Sequence, residues 1–326
     1  FQGFAVDVAD THGIVYTPQP IVDFMVNSVS GLLGEEFDVG LGDEDVHLLD
    51  PFVGTGNFVV RIMKEISRRN LPKKYGANGD PELHANEVML LPYYVASMNI
   101  EHEYYNRIGE YNPFEGICLV DTFGSEDERQ RPQLFTEENT ERVKRQQQES
   151  IKVVLGNPPY NAQQQNAMDD NQNREYDHVD DRIRETYAED SSATLLSKLY
   201  DPYVRAIRWA TDRVGDEGVV ALVTNSSFVH KNSFDGVRKH LEEDFDEVYV
   251  LDCGGNVRKN PKLSGTTHNV FGIQVGVSIN FLVKRDGKSD SDCDIYYHRM
   301  GEWLRKEERY DVLDTAGDWR GIDWKK

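Results

Sequence analysis

The sequence is poor in cysteine and has no long apolar run. Its three cysteines, Cys118, Cys253 and Cys293, lie too far apart for a disulfide framework or a metal knuckle. We therefore expect a reducing, cytoplasmic location and no metal site. No apolar run approaches the roughly 18 residues of a membrane-spanning helix, which excludes a membrane protein. Hydrophobic residues still make up 38% of the 326, enough for one large α/β domain.

Positive charge is also scarce. The chain has 57 Asp and Glu residues against 36 Lys and Arg residues, a net charge of −21. Such a surface repels DNA phosphates and by itself argues against nucleic-acid binding. However, the acids are scattered along the chain and do not form one tail, a pattern that also suits a protein kept soluble in high salt. We favour this halophilic interpretation, and the charge therefore does not exclude DNA.

Strand-like and helix-like segments alternate along most of the chain. The predicted strands are 46–50, 83–87, 117–122, 151–156, 219–224, 247–252 and 274–284. Amphipathic or helix-forming segments separate most of them, at 58–69, 89–105, 140–149, 194–214 and 234–243. This alternation predicts a seven-stranded, mostly parallel, doubly wound sheet. The period-two pattern of 274–284 predicts one antiparallel strand in the edge region.

The remaining segments suggest how the chain is divided. Residues 1–3 look like the remnant of a cleavable tag, and we assign 4–285 to one catalytic domain. Residues 161–190 are rich in Gln, Asn and Asp, which predicts a mobile surface loop inserted in that domain. Residues 286–326 show no convincing core pattern, so we expect them to begin a further domain.

Polar residues lie at the ends of the first three predicted strands. Asp50 opens a turn that contains Gly54 and Gly56, where the backbone can bend tightly and approach a ligand. The turn lacks the lysine of a phosphate-binding P-loop, which disfavours a nucleoside triphosphate. Glu87, at the end of the second strand, suits ribose hydroxyls, and Asp121, at the end of the third, suits an adenine amino group. Taken alone, Glu87 could equally be an ordinary exposed residue, and an Asp at a strand end is usually a helix cap or turn residue.

The most specific motif is Asn157-Pro158-Pro159-Tyr160, directly after the fourth strand. Two successive prolines stiffen the backbone and remove two donors, which holds the Asn side chain and the nearby carbonyls in a fixed direction. An amide oxygen and a proline carbonyl can both accept hydrogen bonds from an amino group. Tyr160 offers a flat face for a planar base. The motif therefore indicates chemistry on an exocyclic amine or an amide nitrogen.

Together, these motifs resemble the S-adenosylmethionine-dependent DNA adenine-N6 methyltransferases with the gamma motif order, over roughly 13–285. The resemblance implies a Rossmann-like class I methyltransferase fold and S-adenosylmethionine as cofactor. It places Tyr16, Thr17 and Pro18 over the methionine part of the cofactor. It assigns cofactor binding also to Asp50, Gly54, Gly56, Phe58, Glu87 and Asp121. Catalysis falls to Asn157, Pro158, Pro159 and Tyr160, and base stacking to Tyr160 and Phe271.

The stretch 205–284 further resembles the methyltransferase part of large single-chain restriction-modification enzymes. In those enzymes a nuclease and a helicase precede this part and a target-recognition domain follows it. The resemblance implies double-stranded DNA as partner and 286–326 as the start of a recognition domain. Basic residues that could contact phosphates are Arg174, Arg182, Arg184, Lys231, Arg238, Arg258, Lys259 and Lys262.

Three alternatives remain open. The Asn-Pro-Pro-Tyr signature also occurs in methyltransferases that act on a glutamine side-chain amide of proteins. A methyltransferase fold can also serve as a non-catalytic DNA-binding module. Finally, the motif can handle the N4 amine of cytosine, although Asn at position 157 and the motif order favour adenine.

Overall fold

A computed structural model describes residues 16–124, 137–159, 175–194, 196–256, 260, 267–287 and 292–326. Within these ranges, no helix combines the length and the apolar character that crossing a membrane requires. Tyr160 and the basic residues Arg174, Arg258, Lys259 and Lys262 lie outside the described residues.

Eight strands form a single mixed sheet. They are β1 (His47–Asp50), β2 (Leu83–Glu87), β3 (Ile117–Leu119), β4 (Ile151–Gly156), β5 (Gly218–Asn225), β6 (Glu247–Gly254), β7 (Val277–Lys284) and β8 (Asp294–Arg299). The strand order is β3-β2-β1-β4-β5-β7-β6-β8. Only β7 runs antiparallel to its neighbours among the described strands. The predicted mostly parallel α/β fold is confirmed, but the count of seven is wrong, because β8 adds a further parallel strand beside β6.

Ten α-helices are described around the sheet. They are α1 (Gln19–Phe37), α2 (Asn57–Glu65), α3 (Leu71–Tyr75), α4 (Leu90–Ile108), α5 (Glu137–Gln148), α6 (Asp177–Ile183), α7 (Pro202–Arg213), α8 (Ser227–His230), α9 (Asp235–Asp244) and α10 (Lys306–Ala316). Helix α1 begins directly after Pro18, and a second proline follows in its first turn, where a missing N–H costs nothing.

The central strands are buried on both faces. Along β5, Val219 and Val223 belong to one hydrophobic cluster, whereas Val220 and Leu222 belong to another. The first cluster includes α1 and α2, and the second includes α7 and α9. Successive residues of a strand point to opposite faces, so an all-apolar strand requires cover on both sides. The doubly wound layering follows from this pattern.

The expected loop at 161–190 is wrong over its second half. Residues 177–183 form α6, and Arg184–Ala188 continue it as a π-helical turn. Val179, Ile183 and Tyr187 are fully or almost fully buried at spacings of four residues, and a buried Arg205–Asp180 ion pair at 2.7 Å holds the helix to α7. A narrow apolar stripe therefore suffices to dock an otherwise polar helix.

The expectation that 286–326 leave the catalytic fold is also wrong for the described residues. Strand β8 pairs with β6, and Leu313, Trp319 and Ile322 lie in the same core cluster as α1. The indole ring of Trp319 packs directly against Gly31 of α1, where a Cβ would lie only 2.1 Å from the ring. Residues 292–326 thus complete this sheet and its core.

Candidate active site

Four polar side chains meet at one edge of the sheet. Strands β3, β2, β1 and β4 are adjacent and parallel, so their carboxyl ends lie side by side. Asp121 follows β3, Glu87 ends β2, Asp50 ends β1 and Asn157 follows β4. The carboxyl edge of a parallel sheet is the usual ligand site of such folds. The structure therefore brings together the residues that the sequence motifs singled out.

The glycine turn is bound directly to the acid of the neighbouring strand. The backbone N–H of Gly54 donates to Glu87 Oε2 at 3.0 Å. Gly54 and Gly56 have φ values of 54° and 91°, in the left-handed region that favours glycine. Gly56 caps α2 and lies close to α4, because a Cβ there would be 3.4 Å from the Ala96 backbone. The turn consequently presents backbone rather than side chains at the edge.

Glu87 is held in one orientation by two backbone donors. Besides Gly54, the N–H of Met89 donates to its Oε1 at 2.9 Å. Burial raises the pKa of the Glu87 carboxyl, and these backbone hydrogen bonds partly oppose the rise. A carboxylate fixed through both oxygens retains further lone pairs that can accept from a diol. Its position and orientation fit the ribose of a nucleoside.

Asp50 is the most strongly perturbed group of the site. It is 1% exposed, its Oδ1 accepts the N–H of Phe52 at 3.0 Å, and its Oδ2 has no hydrogen-bond partner among the described residues. Burial, followed by the nearby Glu87, raises its pKa to about 8. Gly156 makes room for it, since a Cβ there would lie 2.8 Å from Oδ1. A buried carboxylate oxygen without a donor suits a cationic ligand such as S-adenosylmethionine.

Asp121 is engaged more fully than the sequence indicated. Its Oδ1 accepts the N–H of Phe123 at 3.1 Å, and its Oδ2 accepts the hydroxyl of Tyr176 at 3.0 Å. The Phe123 ring lies between those of Phe52 and Tyr176, with centroid distances of 5.5 Å and 5.4 Å. Sequence reasoning missed these three aromatic residues. The position of Phe123 two residues after a strand-end acid was the one available signal.

The first and the catalytic motifs meet through one side-chain hydrogen bond. Asn157 Nδ2 donates to the hydroxyl of Thr17 at 3.0 Å, across 140 positions of sequence. Thr17 is buried, Pro158 is buried and Pro159 is exposed. Because the amide nitrogen faces Thr17, the amide oxygen points to the other side of the side chain. Thr17 thereby fixes the direction in which Asn157 offers an acceptor.

Four predicted site residues have different surroundings. Phe58 is 3% exposed in the core cluster of α1 and α2, so we assign its ring to packing beneath the glycine turn. Tyr16 is 54% exposed, and Pro18 caps α1. Phe271 is half-buried against the same core cluster, and its N–H donates to the side chain of Asn269 at 2.9 Å.

Several candidate phosphate-binding cations already have partners within the chain. Arg182 pairs with Asp212 at 3.1 Å, and Arg184 forms an ion pair with Asp181. The guanidinium of Arg238 donates to two backbone carbonyls at 2.7 Å and 3.0 Å. These three side chains consequently serve local structure, and the structure supplies no phosphate role for them.

Comparison with known proteins gives both a family and a set of similar structures. Residues 1–250 match the family described as N-6 DNA Methylase. The fold is similar to that of DrdV in a DNA complex, with a TM-score of 0.86 and 41% identity over 99% of this chain. It is also similar to the ATP-dependent Type ISP restriction-modification enzyme LlaBIII bound to DNA, with a TM-score of 0.84 and 38% identity over 94% of this chain. The fold is likewise similar to that of a nuclease-deletion mutant of the Type ISP enzyme LlaGI with a DNA substrate mimic, with a TM-score of 0.83 and 37% identity over 96% of this chain.

The chain spans only a minor part of these larger proteins. It covers 31% of DrdV, 21% of LlaBIII and 26% of LlaGI. The type I restriction-modification methyltransferase subunit from Streptococcus thermophilus has a TM-score of 0.52 at 18% identity, which supports the class I methyltransferase fold alone. No curated protein matches the chain to a significant degree.

Proposed function

Because the chain belongs to the N-6 DNA methylase family, we propose that it transfers a methyl group from S-adenosylmethionine to the N6 amine of adenine in DNA. The observation that carries this proposal is the Asn157–Thr17 hydrogen bond at the edge that also holds Asp50 and Glu87. The oriented amide of Asn157 thus lies at the same edge as the buried Asp50 and the half-buried Glu87. The planar amine of adenine and the cationic methyl donor could therefore be bound side by side at this edge.

The proposed roles follow from the chemistry of each side chain. Glu87 accepts hydrogen bonds from the ribose, and Asp50 faces the positive charge of the cofactor. When bound, S-adenosylmethionine supplies an electrophilic methyl group on sulfur. Asn157 Oδ1 and the Pro158 carbonyl accept the two N–H groups of adenine, which orients the nitrogen lone pair. The methyl group would pass from sulfur to the amine that Asn157 and Pro158 hold, leaving S-adenosylhomocysteine, and the proton lost from the amine would pass to water. Rate enhancement in this scheme comes from orientation.

The target base must leave the duplex to reach this edge. Flipping costs a few kcal/mol, and stacking on an aromatic side chain returns about 1–3 kcal/mol per base. We assign this stacking to Tyr160, next to Pro159 in the sequence, and to Phe271. The similarity of 37–41% identity to restriction-modification enzymes seen with DNA favours DNA over a protein glutamine as acceptor.

We also propose that the chain acts as the methyltransferase part of a restriction-modification protein. Its similarity to DrdV, LlaBIII and LlaGI covers nearly the whole chain but a third or less of each relative. Nuclease, helicase and target-recognition modules are the partners that this proposal implies. The net charge of −21 further suggests function in high salt, where phosphate repulsion is screened.

The test is methyl transfer from labelled S-adenosylmethionine to duplex DNA lacking adenine methylation, at low and multimolar salt, followed by nucleoside analysis. We expect N6-methyladenine from the wild-type chain. Asn157→Ala, the matched inactive variant, should retain cofactor binding and lose at least about a hundredfold in rate. N4-methylcytosine as the product, or label in protein glutamine, would overturn the proposed acceptor. Wild-type rate in Asn157→Ala would overturn the proposed site.

A further inference from the structure

The segment that carries Phe271 is held by the beginning of α10. The backbone N–H of Lys306 donates to the carbonyl of Thr267 at 2.8 Å. Arg309 Nε donates to the carbonyl of His268 at 2.9 Å, and the hydroxyl of Tyr310 donates to that of Val270 at 2.5 Å. Three carbonyls within four positions are thus fixed by one helical turn. The start of α10 therefore restrains the backbone of 267–270.

Arg309 links this segment to two others. It is 0% exposed, and its remaining hydrogen bonds go to the carbonyls of Cys253, Gly301 and Glu302. Burial lowers the pKa of its guanidinium, which reflects the cost of removing a cation from water. An apolar side chain would fill the same space without that cost. What the guanidinium adds is the fixed direction of its several donors.

The facing backbone is shaped to admit this contact. Gly254 and Gly255, at the end of β6, have φ values of 67° and 72°. A Cβ on Gly254 would lie 3.3 Å from Arg309 Nη1, and one on Gly255 would lie 2.5 Å from the His268 carbonyl oxygen. The left-handed conformation and the close approach both favour glycine here. The end of β6 and residues 267–271 therefore pack closely together, and both contact Arg309.

Asn269 fixes the same segment from inside the protein. It is 0% exposed, its Oδ1 accepts the N–H of Phe271 at 2.9 Å, and its Nδ2 donates to the carbonyl of Val275 at 2.6 Å. The carbonyls on either side of Asn269 are those that Arg309 and Tyr310 bind. The backbone leading to Phe271 is consequently restrained on two sides.

We propose that Arg309 and Tyr310 are positioning residues that hold residues 267–271 so that the Phe271 ring can receive the target base. This inference rests on the proposed function of the site. It gives α10, which follows the stretch matched by the family, a part in the reaction on DNA. The hydrogen bonds described for Arg309 and Tyr310 do not involve Asp50 or Glu87, so the effect should fall on the binding of the target base and spare cofactor binding.

The test compares Tyr310→Phe, Arg309→Lys and Arg309→Met with the wild-type 326-residue chain. Tyr310→Phe removes one hydroxyl, and we expect kcat/KM for duplex DNA to fall about three- to tenfold, with cofactor affinity within about twofold of wild type. Arg309→Met should lower kcat/KM for duplex DNA further. Arg309→Lys, which keeps a cation, should lower it less than Arg309→Met does. Hydrogen exchange of the backbone amides in 267–273 should become faster in all three.

The matched control for lost stability is Arg208→Met. Arg208 is 2% exposed and pairs with Asp212 and Asp244, in the region of the second core cluster. We expect Arg208→Met to lower the free energy of unfolding without changing the rate of amide hydrogen exchange at 267–273. The inference is overturned if exchange there stays at the wild-type rate in Tyr310→Phe, or if the Arg309 variants weaken cofactor binding as much as they slow transfer. Absence of transfer by the wild-type chain, by contrast, would count against the proposed function, while the exchange result would still decide whether α10 holds the segment.

Discussion

The raised pKa of Asp50 predicts that cofactor binding depends on pH. Burial, and secondarily the nearby Glu87, raises the pKa of its carboxyl to about 8. At pH 6 it is therefore protonated and neutral. A cationic cofactor held by Asp50 would favour the ionised form of its carboxyl, so binding at pH 6 would release a proton. Affinity for S-adenosylmethionine should accordingly rise as the pH rises.

The size of the effect follows from the linkage relation. With a pKa of about 8, the ionised fraction of Asp50 increases roughly twentyfold between pH 6 and 7.5, and the affinity should increase by up to the same factor. This window ends below about pH 7.7, where α-amino groups such as that of the cofactor are half deprotonated. Close to one proton should be released per cofactor bound at pH 6.

Isothermal titration calorimetry in two buffers of different ionisation enthalpy measures both quantities. Asp50→Asn is the control, since it retains an oxygen for the Phe52 N–H and removes the titrating group. We expect the steep pH dependence and the proton release to disappear in this variant. A wild-type affinity that is flat from pH 6 to 7.5 would refute the reasoning, as would an Asp50→Asn variant with the wild-type slope.

Three further predictions test other parts of the structure. Thr17→Val removes the acceptor of the Asn157 amide and should lower kcat about three- to tenfold, whereas Thr17→Ser should stay close to wild type. A kcat for Thr17→Val equal to that of the wild type in steady-state kinetics would contradict the orienting role. Tyr160→Ala should raise KM for DNA by the equivalent of about 1–3 kcal/mol and leave calorimetric cofactor affinity unchanged; weaker cofactor binding would place Tyr160 elsewhere. Trp319→Ala should cost about 3–5 kcal/mol of unfolding free energy in urea denaturation, because the indole is 4% exposed against Gly31. A loss below about 1 kcal/mol would be typical of a surface residue and would contradict the inclusion of the tail in the core.

Strong local patterns predicted much of the fold. The predicted bounds of β2 and β4 coincide with the observed ones. For β4 the signal is clear, because an apolar run ends directly before Asn157-Pro158. Strand β8 was missed because its side chains are half-buried or exposed, so it has no apolar run. Helix α6 was missed although Val179 and Ile183 mark a stripe with helical spacing. Tertiary packing stabilises both elements, and the local sequence signals are weak.

In the active site, too, local motifs predicted some features, whereas contacts between distant segments could not be predicted. The motifs predicted that Asp50, Glu87 and Asn157 would gather, because the carboxyl ends of parallel strands meet at one edge. No local pattern could predict that Thr17 would orient Asn157. Likewise, nothing near Asp121 indicated that Tyr176, from a segment interpreted as a loop, would bind its carboxylate. Such pairings depend on how distant segments pack.

The reversed direction of β7 has a topological consequence. In a parallel sheet, each strand contributes one connection to the carboxyl edge and the chain then returns behind the sheet. Because β7 runs antiparallel between β5 and β6, the connection 255–276 starts and finishes at that edge. The chain then crosses to the opposite edge and comes back along β8, which delivers α10 beside the same connection. One inverted strand thus brings two further stretches of chain to the carboxyl edge, the connection 255–276 and the stretch that follows β8.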